Sequence, residues 1–539
     1  MTLRPAVVAA GCALLVLSAG AQTQTPVGPV LRATTHVVEV NVVVHDRKGA
    51  PVADVAREEF EIYDEGVKQQ VATLRMERTE PAADAPRPAP LPPNVYSNLP
   101  AYRPNTARAV TVVLMDGLNT PAADQIYARA QLITFLGTLT PSDRVAIYTL
   151  GRSLRVLHDF TDDPQSLLRV LRKHGLYLGS ELADSQPAPS DMGDPEMDAY
   201  LNEASQKTAD FQVTARVQIT MNALETIAQH VSALPGRKNL VWVSGGFPLS
   251  IGMEQLSLDT SRDNRNFSGE VASAARAIAA AQLAVYPVDA RGLISQPDYS
   301  ASTPNTRNPR PPPTRSKATD EIQQTQETMT DMAKRTGGRA YFNTNDLKAA
   351  VRGAIDDARV TYLLGYYPTH NSWDGRFRTL KVKVTRPGLD VRYRLGYFAF
   401  GDQPATEQTR RAALMAAASS PLDATSIGLS VGLSPDTPAP GSTRVLLGIE
   451  PRHLTLRQEG VNRIGLVDVL FFMQGAPEEP ATATAETMNL SLSPQRYEAA
   501  SKEGLLMAKD IESARIKYRL KIVVRDAATG SVGSVSIRR

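Results

Sequence analysis

The sequence predicts an α/β domain with a doubly wound, mostly parallel sheet, set into a small β-sandwich and followed by a C-terminal β-sandwich domain. Three observations predict it. Between residues 108 and 359, apolar runs such as Ala109–Met115 alternate with stretches whose apolar residues recur at helical spacing. Such runs read as strands buried on both faces, and their alternation with helices implies a parallel sheet covered on both sides. Residues 35–80 and 360–402 carry alternating, β-branched segments, too few in either set to bury a face; the two sets are therefore expected to complete one sandwich. Residues 404–539 return to alternating segments, the pattern of an all-β domain.

The elements follow in chain order. Residues 1–21 read as a secretory signal, with Arg4 as a short basic region, Ala6 to Leu17 as the apolar core and Ala19-Gly20-Ala21 as the cleavage site. Cleavage after Ala21 leaves Gln22 as the mature N-terminus and an exported protein, periplasmic or extracellular. The one cysteine, Cys12, lies inside the signal. Ala9-Ala10-Gly11-Cys12 loosely resembles a lipoprotein box but comes too early, with most of the apolar stretch behind it. The mature chain then has no thiol for a disulfide, a metal site or a nucleophile. No later segment is apolar for long enough to span a bilayer.

Val37–Val44, Phe60–Tyr63 and Gln70–Met76 are the expected strands of the first set. Eight prolines between 81 and 104 mark residues 81–107 as an extended linker. In the α/β domain the expected strands are Ala109–Met115, Arg144–Leu150, Leu154–Phe160, Lys238–Val243, Leu283–Val288 and the short Arg339–Phe342. The expected helices are Ala122–Leu139, Pro164–Leu171, Ala215–Leu234, Gly269–Gln282, Thr325–Arg335 and Leu347–Arg359. Residues 176–206 read as polar and irregular, and 296–318, with Pro311-Pro312-Pro313, as a disordered insertion. Val360–Tyr367, Phe377–Thr385 and Val391–Phe400 are the strands of the second set. The C-terminal domain opens with a short Ala-rich helix and continues with strands at Ser426–Leu433, Arg444–Ile449, Gly465–Phe472, Ile516–Val524 and Val532–Ile537.

Composition excludes several classes. At 539 residues, 42% hydrophobic and 21% charged, the chain is neither disordered throughout, collagen-like nor a multi-pass membrane protein. Lys+Arg number 59 and Asp+Glu 56, a net +3, so there is no field for gripping nucleic acid. The seven histidines are scattered without His-Glu-x-x-His spacing, which removes the zinc-protease reading. Ser244-Gly245-Gly246 is no nucleophile elbow. Gly337-Gly338 reads as a helix stop, and Tyr366, Tyr367, Tyr393 and Tyr397 as strand packing.

The candidate site is the loop after the first α/β strand, Asp116-Gly117-Leu118-Asn119-Thr120. Ligands of open α/β sheets collect at the carboxyl ends of the strands. An acid there, with polar groups further along, suits a hard cation such as Mg²⁺ or Mn²⁺. The same residues also suit a helix start, with Asp116 and Thr120 as caps, Asn119 in the turn and Pro121 at the first helical position. Ser244, ending a strand, and Asp289, after Tyr286-Pro287-Val288, lie on the same expected rim, Asp289 facing it or pairing with Arg291.

This loop, together with Gly236-Arg237-Lys238-Asn239-Leu240-Val241-Trp242-Val243-Ser244-Gly245-Gly246 and Tyr362-Leu363-Leu364-Gly365-Tyr366-Tyr367-Pro368, resembles von Willebrand factor type A domains. The likeness is closest to the VWFA-related proteins of acidobacteria, and Pro387–Arg392 continuing to Gly396-Tyr397 belongs to it. It spans about residues 35–400, and Arg525–Gly530 suggests that it reaches the C-terminus. The resemblance implies a Rossmann-like VWFA sheet and a metal-ion-dependent adhesion motif, Asp-x-Ser-x-Ser. Asp116 matches the motif's acid and Thr120 its second serine. Leu118 replaces the first serine, Gly245 stands where a later acid is expected, and no loop threonine is assignable within 176–206. The motif is thus degenerate. In a metal-assisted site the cation would bridge to an acidic side chain of a protein partner.

The expected function is that of a non-catalytic, exported interaction or adhesion protein, with Asp116 and Thr120 as metal residues and Asn119, Ser244 and Asp289 on the partner-binding rim. The alternative is a structural cell-envelope protein without a metal, its contacts made by the β domains. A hydrolase of unassigned substrate is a third class.

Overall fold

The structure, a computed structural model, describes residues 37–78, 90–99, 102, 109–140, 143–175, 177–179, 182, 194–234, 236–246, 268–293, 317–370, 372–400, 406–434, 441–474, 480–513, 516 and 518–538. Residues 1–21, expected as a secretory signal and containing Cys12, and residues 296–316 of the expected insertion lie outside them. Among the described residues no helix is long and apolar enough to cross a membrane.

The first strands are β1 (Val38–His45), β2 (Phe60–Asp64), β3 (Val67–Gln69) and β4 (Val71–Arg78). Glu65 and Gly66 join β2 to β3 with φ of 49° and 80°, the two positive angles that let a two-residue turn match strand twist. Next comes β5 (Val95–Ser97). Residues 81–107 were expected as unpaired linker, but β5 pairs antiparallel with Ser430–Gly432. It sits at a sheet edge, where flanking prolines cost no ladder bond.

The α/β segment runs β6 (Val110–Asp116), α1 (Ala122–Leu136), β7 (Val145–Leu150), β8 (Leu154–Thr161), α2 (Pro164–Lys173), α3 (Pro195–Val231), β9 (Lys238–Ser244), α4 (Ser268–Ala280), β10 (Leu283–Asp289), α5 (Lys317–Thr336) and α6 (Leu347–Asp356). Its sheet has the order β10-β9-β6-β7-β8. All neighbours are parallel except β8, which returns antiparallel from β7. Alternate side chains of β6 go to opposite faces. Val110, Val112 and Leu114 pack with Val217, Met221, Leu224, Ile278 and Met332 of α3, α4 and α5. Val113 packs with Leu132, Phe135, Leu168 and Val351 of α1, α2 and α6. The order reverses between β6 and β9, so the ends of these strands form the switch point where a crevice opens.

Three expectations change here. Helix α3 spans 37 residues from Pro195, absorbing the end of the stretch read as irregular, residues 195–206. Asp194 caps it through Glu196 N and Met197 N, and its first half is mostly solvent-exposed, so it shows no apolar stripe to read. Helix α5 begins at Lys317, inside the expected insertion. Arg339–Phe342 is reduced to a bridge from Tyr341 to Val288.

The chain then forms β11 (Val360–Tyr366), β12 (Asp374–Val384), β13 (Asp390–Tyr393) and β14 (Gly396–Phe400). The sheets are β13-β1-β11-β4 and β14-β12-β2-β3, so both combine strands from before and after the α/β segment, which alternate in the first. Val40, Val42, Ile62, Leu364, Tyr366 and Val382 share their core. The third expected strand, Val391–Phe400, breaks at Arg394-Leu395 and serves one sheet on each side of the break.

The C-terminal part runs α7 (Glu407–Ser419), β15 (Leu429–Ser434), β16 (Ser442–Ile449), β17 (Arg457–Glu459), β18 (Asn462–Gln474), β19 (Thr482–Leu492), α8 (Pro494–Glu503), β20 (Leu505–Glu512), β21 (Arg519–Asp526) and β22 (Val532–Arg538). Sheet β20-β16-β15-β5 faces sheet β17-β18-β21-β22, with β19 also on β18. Val431, Leu447, Val469, Phe471, Ile522 and Val524 fill the space between. Helix α7 covers the outer face through Leu414, Ala417, Leu470 and Val523. Thr425 Oγ1 donates to His230 O at 2.8 Å, tying this part to the end of α3.

Candidate functional site

Strand β6 stays apolar until Asp116, whose side chain therefore emerges at the switch point yet remains only 2% exposed. Its Oδ1 accepts from Asn119 N at 3.0 Å. Its Oδ2 accepts from Asn119 Nδ2 at 2.8 Å and from Trp242 Nε1 at 3.0 Å. Ser244 Oγ, 3.0 Å from the same oxygen, also lies 2.6 Å from Gly246 O, and its single proton serves one of the two. Burial pushes the Asp116 carboxyl up, against these hydrogen bonds, which favour the charged form.

Asn119 extends the set. Its Oδ1 accepts from Arg216 Nε at 3.0 Å and Nη2 at 2.8 Å, while its Nδ2 also reaches Thr220 Oγ1 at 3.1 Å. Asn119, Arg216 and Thr220 are all buried. The Thr120 hydroxyl accepts from Gly245 N at 2.8 Å. A side chain at Gly245 would come 3.1 Å from Pro121 Cδ, which explains a glycine there. Asp289 is held by Arg291 through N, Nε and Nη2, at 3.0, 2.9 and 2.8 Å.

The helix-start reading is corrected by this geometry. Pro121, not a first helical residue, takes the cap position of α1 and offers no side-chain acceptor. Asp116 closes a turn onto Asn119, and Thr120 reaches across to β9. Sequence reasoning brings Asp116, Asn119, Thr120 and Ser244 to one place, and Asp289 to the end of the neighbouring strand. It misses Trp242, Arg216, Thr220 and Gln125. Gln125 Oε1 accepts from Tyr177 N at 3.0 Å and its Nε2 is 2.8 Å from Thr120 O. An amide one helical turn beyond a turn-forming loop is the only signal that pointed to it. Tyr366 and Tyr397 donate to Asp64 Oδ2 at 2.8 and 2.9 Å, a buried contact inside the sandwich.

These atoms do not fit Mg²⁺ or Mn²⁺. A hard cation needs several oxygens converging on one point. Here the groups facing Asp116 are hydrogen donors, and Asn119 turns its nitrogen to the carboxylate and its oxygen to the Arg216 cation. Leu118 is 1% exposed within the core. Among the described residues no three His, Cys, Asp or Glu side chains gather as a metal site.

No protein-family model matches the chain, and no curated protein matches it. Solved structures do align with it. An aerotolerance-related membrane protein from Bacteroides fragilis NCTC 9343 is 15% identical over 46% of this chain and 98% of its own, with a TM-score of 0.23. The conserved hypothetical protein BatB from Bacteroides thetaiotaomicron is 13% identical over 46% of this chain and 98% of its own, at 0.21. Proximal thread matrix protein 1 from the mussel byssus is 8% identical over 47% and 48%, at 0.24. Similarity this low carries no activity, ligand or partner across to this protein.

Proposed function

We propose that this is an exported, non-catalytic interaction protein whose VWFA-like α/β domain offers its strand-end rim to a protein partner without a divalent cation. The observation that supports the reading is that the polar side chains of the rim are engaged with one another. Asp116 holds Trp242 and Asn119, Thr120 holds Gly245, and Asp289 holds Arg291. Side chains so engaged and buried hold the rim rigid rather than meeting the partner themselves. Beside it, Ile126 is 57% and Leu293 63% exposed. Asn345 ties Leu293 to α1, its side chain accepting from Leu293 N and its backbone oxygen from the hydroxyl of Tyr127, the residue after Ile126. Apolar side chains presented from a rigid base suit a protein partner.

The test is capture by the immobilised mature protein from envelope and culture-fluid fractions of the source cells. A partner recovered equally with and without chelator, and lost with Ile126→Glu, is the expected result. Loss on chelation would sink the metal-free reading. Undiminished capture by the variant would favour the second reading, in which the β domains make the contact. That reading is supported by β19, an eleven-residue strand whose outer edge has no strand partner among the described residues.

A further inference from the structure

A pocket of about 100 Å³ lies where the α/β segment meets the sandwich. Arg237 and Leu283 line it, so it sits at the amino ends of β9 and β10, away from Asp116. One side of its wall is apolar, with Met221 and Leu224 of α3, Ile278 of α4, Met332 of α5 and Phe398 of β14. The space exists because α4 lines it with Ala274, Ala275 and Ala279, side chains too short to fill it. Close-packed interiors leave few voids larger than a water molecule, and junctions of this kind are a usual place for small-molecule sites.

The other side carries charge. Glu39 lines the pocket and is exposed, so the pocket meets solvent there. Its carboxylate accepts from Gln282 Nε2 at 2.7 Å, and Asn41 Nδ2 donates to Gln282 Oε1 at 3.0 Å. Gln282 holds a φ of 52°, where glycine or asparagine is less strained. The strained residue is thus the one whose side chain fixes Glu39. Three arginines line the same pocket. Arg237 donates to Asn239 Oδ1, Tyr286 OH and Gly337 O. Arg335 pairs with Asp331 at 2.6 Å and lies 4.6 Å from the centre of the Phe377 ring. Arg394 differs. Its Nη2 donates to Glu39 O at 2.7 Å, while its buried Nε has no hydrogen-bond partner. Among the described residues neither Arg394 nor Glu39 has an ion pair. A cation and an acid thus stand at one end of an apolar pocket, joined through the backbone of Glu39 and not through their charges.

We propose that this pocket binds a free α-amino acid with an aliphatic side chain of leucine's size. The ligand's carboxylate goes to the Arg394 guanidinium, its ammonium to Glu39, and its side chain among Leu224, Ile278 and Met332. A zwitterion is favoured by charge. A simple carboxylic acid would set a second anion beside Glu39 with no cation for it, and an amine would leave Arg394 unmatched; an amino acid supplies both partners. Size is set by the volume. A cavity of roughly 150 Å³ accepts benzene, so this smaller one takes a branched aliphatic chain rather than an aromatic ring. Leu293 follows the opposite end of β10, so occupancy of the pocket does not depend on the partner reading above.

The experiment is calorimetric titration of the mature protein with L-leucine, isovalerate, isoamylamine and glycine. Isovalerate lacks the ammonium, isoamylamine the carboxylate and glycine the side chain. The variants are Glu39→Gln and Ala275→Leu, each checked first by thermal melting. Glu39→Gln removes an exposed charge, keeps an acceptor for Gln282, and is expected to melt as the parent does. Heat with L-leucine, weakened about fivefold or more in Glu39→Gln and lost when Ala275→Leu fills the pocket, supports the site. The three partial ligands are expected to bind more weakly than L-leucine by about tenfold or more. No heat with L-leucine overturns the proposal, as does isovalerate, isoamylamine or glycine binding as tightly. Unchanged L-leucine affinity in Glu39→Gln, or in an Ala275→Leu protein that melts as the parent does, overturns it too. None of these outcomes alters capture at Ile126, so failure here is separable from failure of the interaction reading.

Discussion

Asp116→Ala leaves Trp242 Nε1 and both Asn119 donors without their acceptor inside the protein. Each unpaired buried donor costs about 1–3 kcal/mol, so the variant is expected to lose about 3 kcal/mol or more in urea unfolding. An Asp116 that serves only as a metal ligand would leave the apoprotein's stability unchanged. Titration of the parent with Mg²⁺ or Mn²⁺ is expected to give no heat, and a saturating isotherm lost in Asp116→Ala would sink the misfit described above. Lys521 provides a pH test. Its Nζ donates to Ser420 O and Leu422 O at 2.9 and 2.7 Å, and burial pushes it down to about 7 from 10.5. Between those values the unfolded chain binds more protons than the folded one, so stability rises with pH. The penalty is fully present below about pH 7 and is relieved as pH climbs towards 10.5. Lys521→Met is expected to flatten that slope; an identical slope in both proteins would assign it to another group. Asp116 was legible in the sequence because an apolar run stops at it. Arg216 and Thr220 were not, because they are polar residues in the middle of a helix whose partner loop lies about a hundred positions earlier.

Strand β5 shows how an element is decided by contacts that its own residues do not announce. Asn98 donates through Nδ2 to Ala424 O and Ile427 O, both at 2.8 Å, and accepts from Leu429 N at 2.7 Å. Asn98→Ala is expected to cost about 2–3 kcal/mol in denaturant unfolding, whereas an asparagine in an unpaired linker would cost nothing measurable. The buried strands β6, β7, β9 and β10 were readable because a strand covered on both faces must be apolar at nearly every position. Strand β8 was readable as Leu154–Phe160, but its antiparallel return from β7 was not, because strand direction leaves no mark on a strand's own residues. Helix α3 was readable only where Val217, Met221, Leu224 and Ile227 face the sheet. Its first half packs against little and carries no periodic signal. Likewise β17 and β19 passed unread, because their mostly exposed faces hold no run of apolar residues, and β20 did because its apolar start, Leu505 to Ala508, gives way at once to Lys509-Asp510.

At the scale of the molecule, β1 lies between β11 and β13, and β2 pairs with β12 and β3. A chain truncated after Arg359 therefore keeps β1 to β4 without the strands that flank them. It is expected to show residues 37–78 unprotected in amide hydrogen exchange, while the full chain protects them; protection in the truncated chain would mean that the N-terminal strands fold alone. The pairing of Val38 with Tyr366 also sets an order of events in time. Polypeptide leaves a ribosome or a translocation channel with its N-terminal end first, at about 5–20 residues per second during synthesis. The first strand must then wait for more than three hundred further residues, roughly 15–60 s at that rate, before its neighbours exist. For that interval Val38–His45 is a β-branched segment with both edges open. Those open edges carry an aggregation risk that the finished fold, with β1 paired on both sides, no longer has.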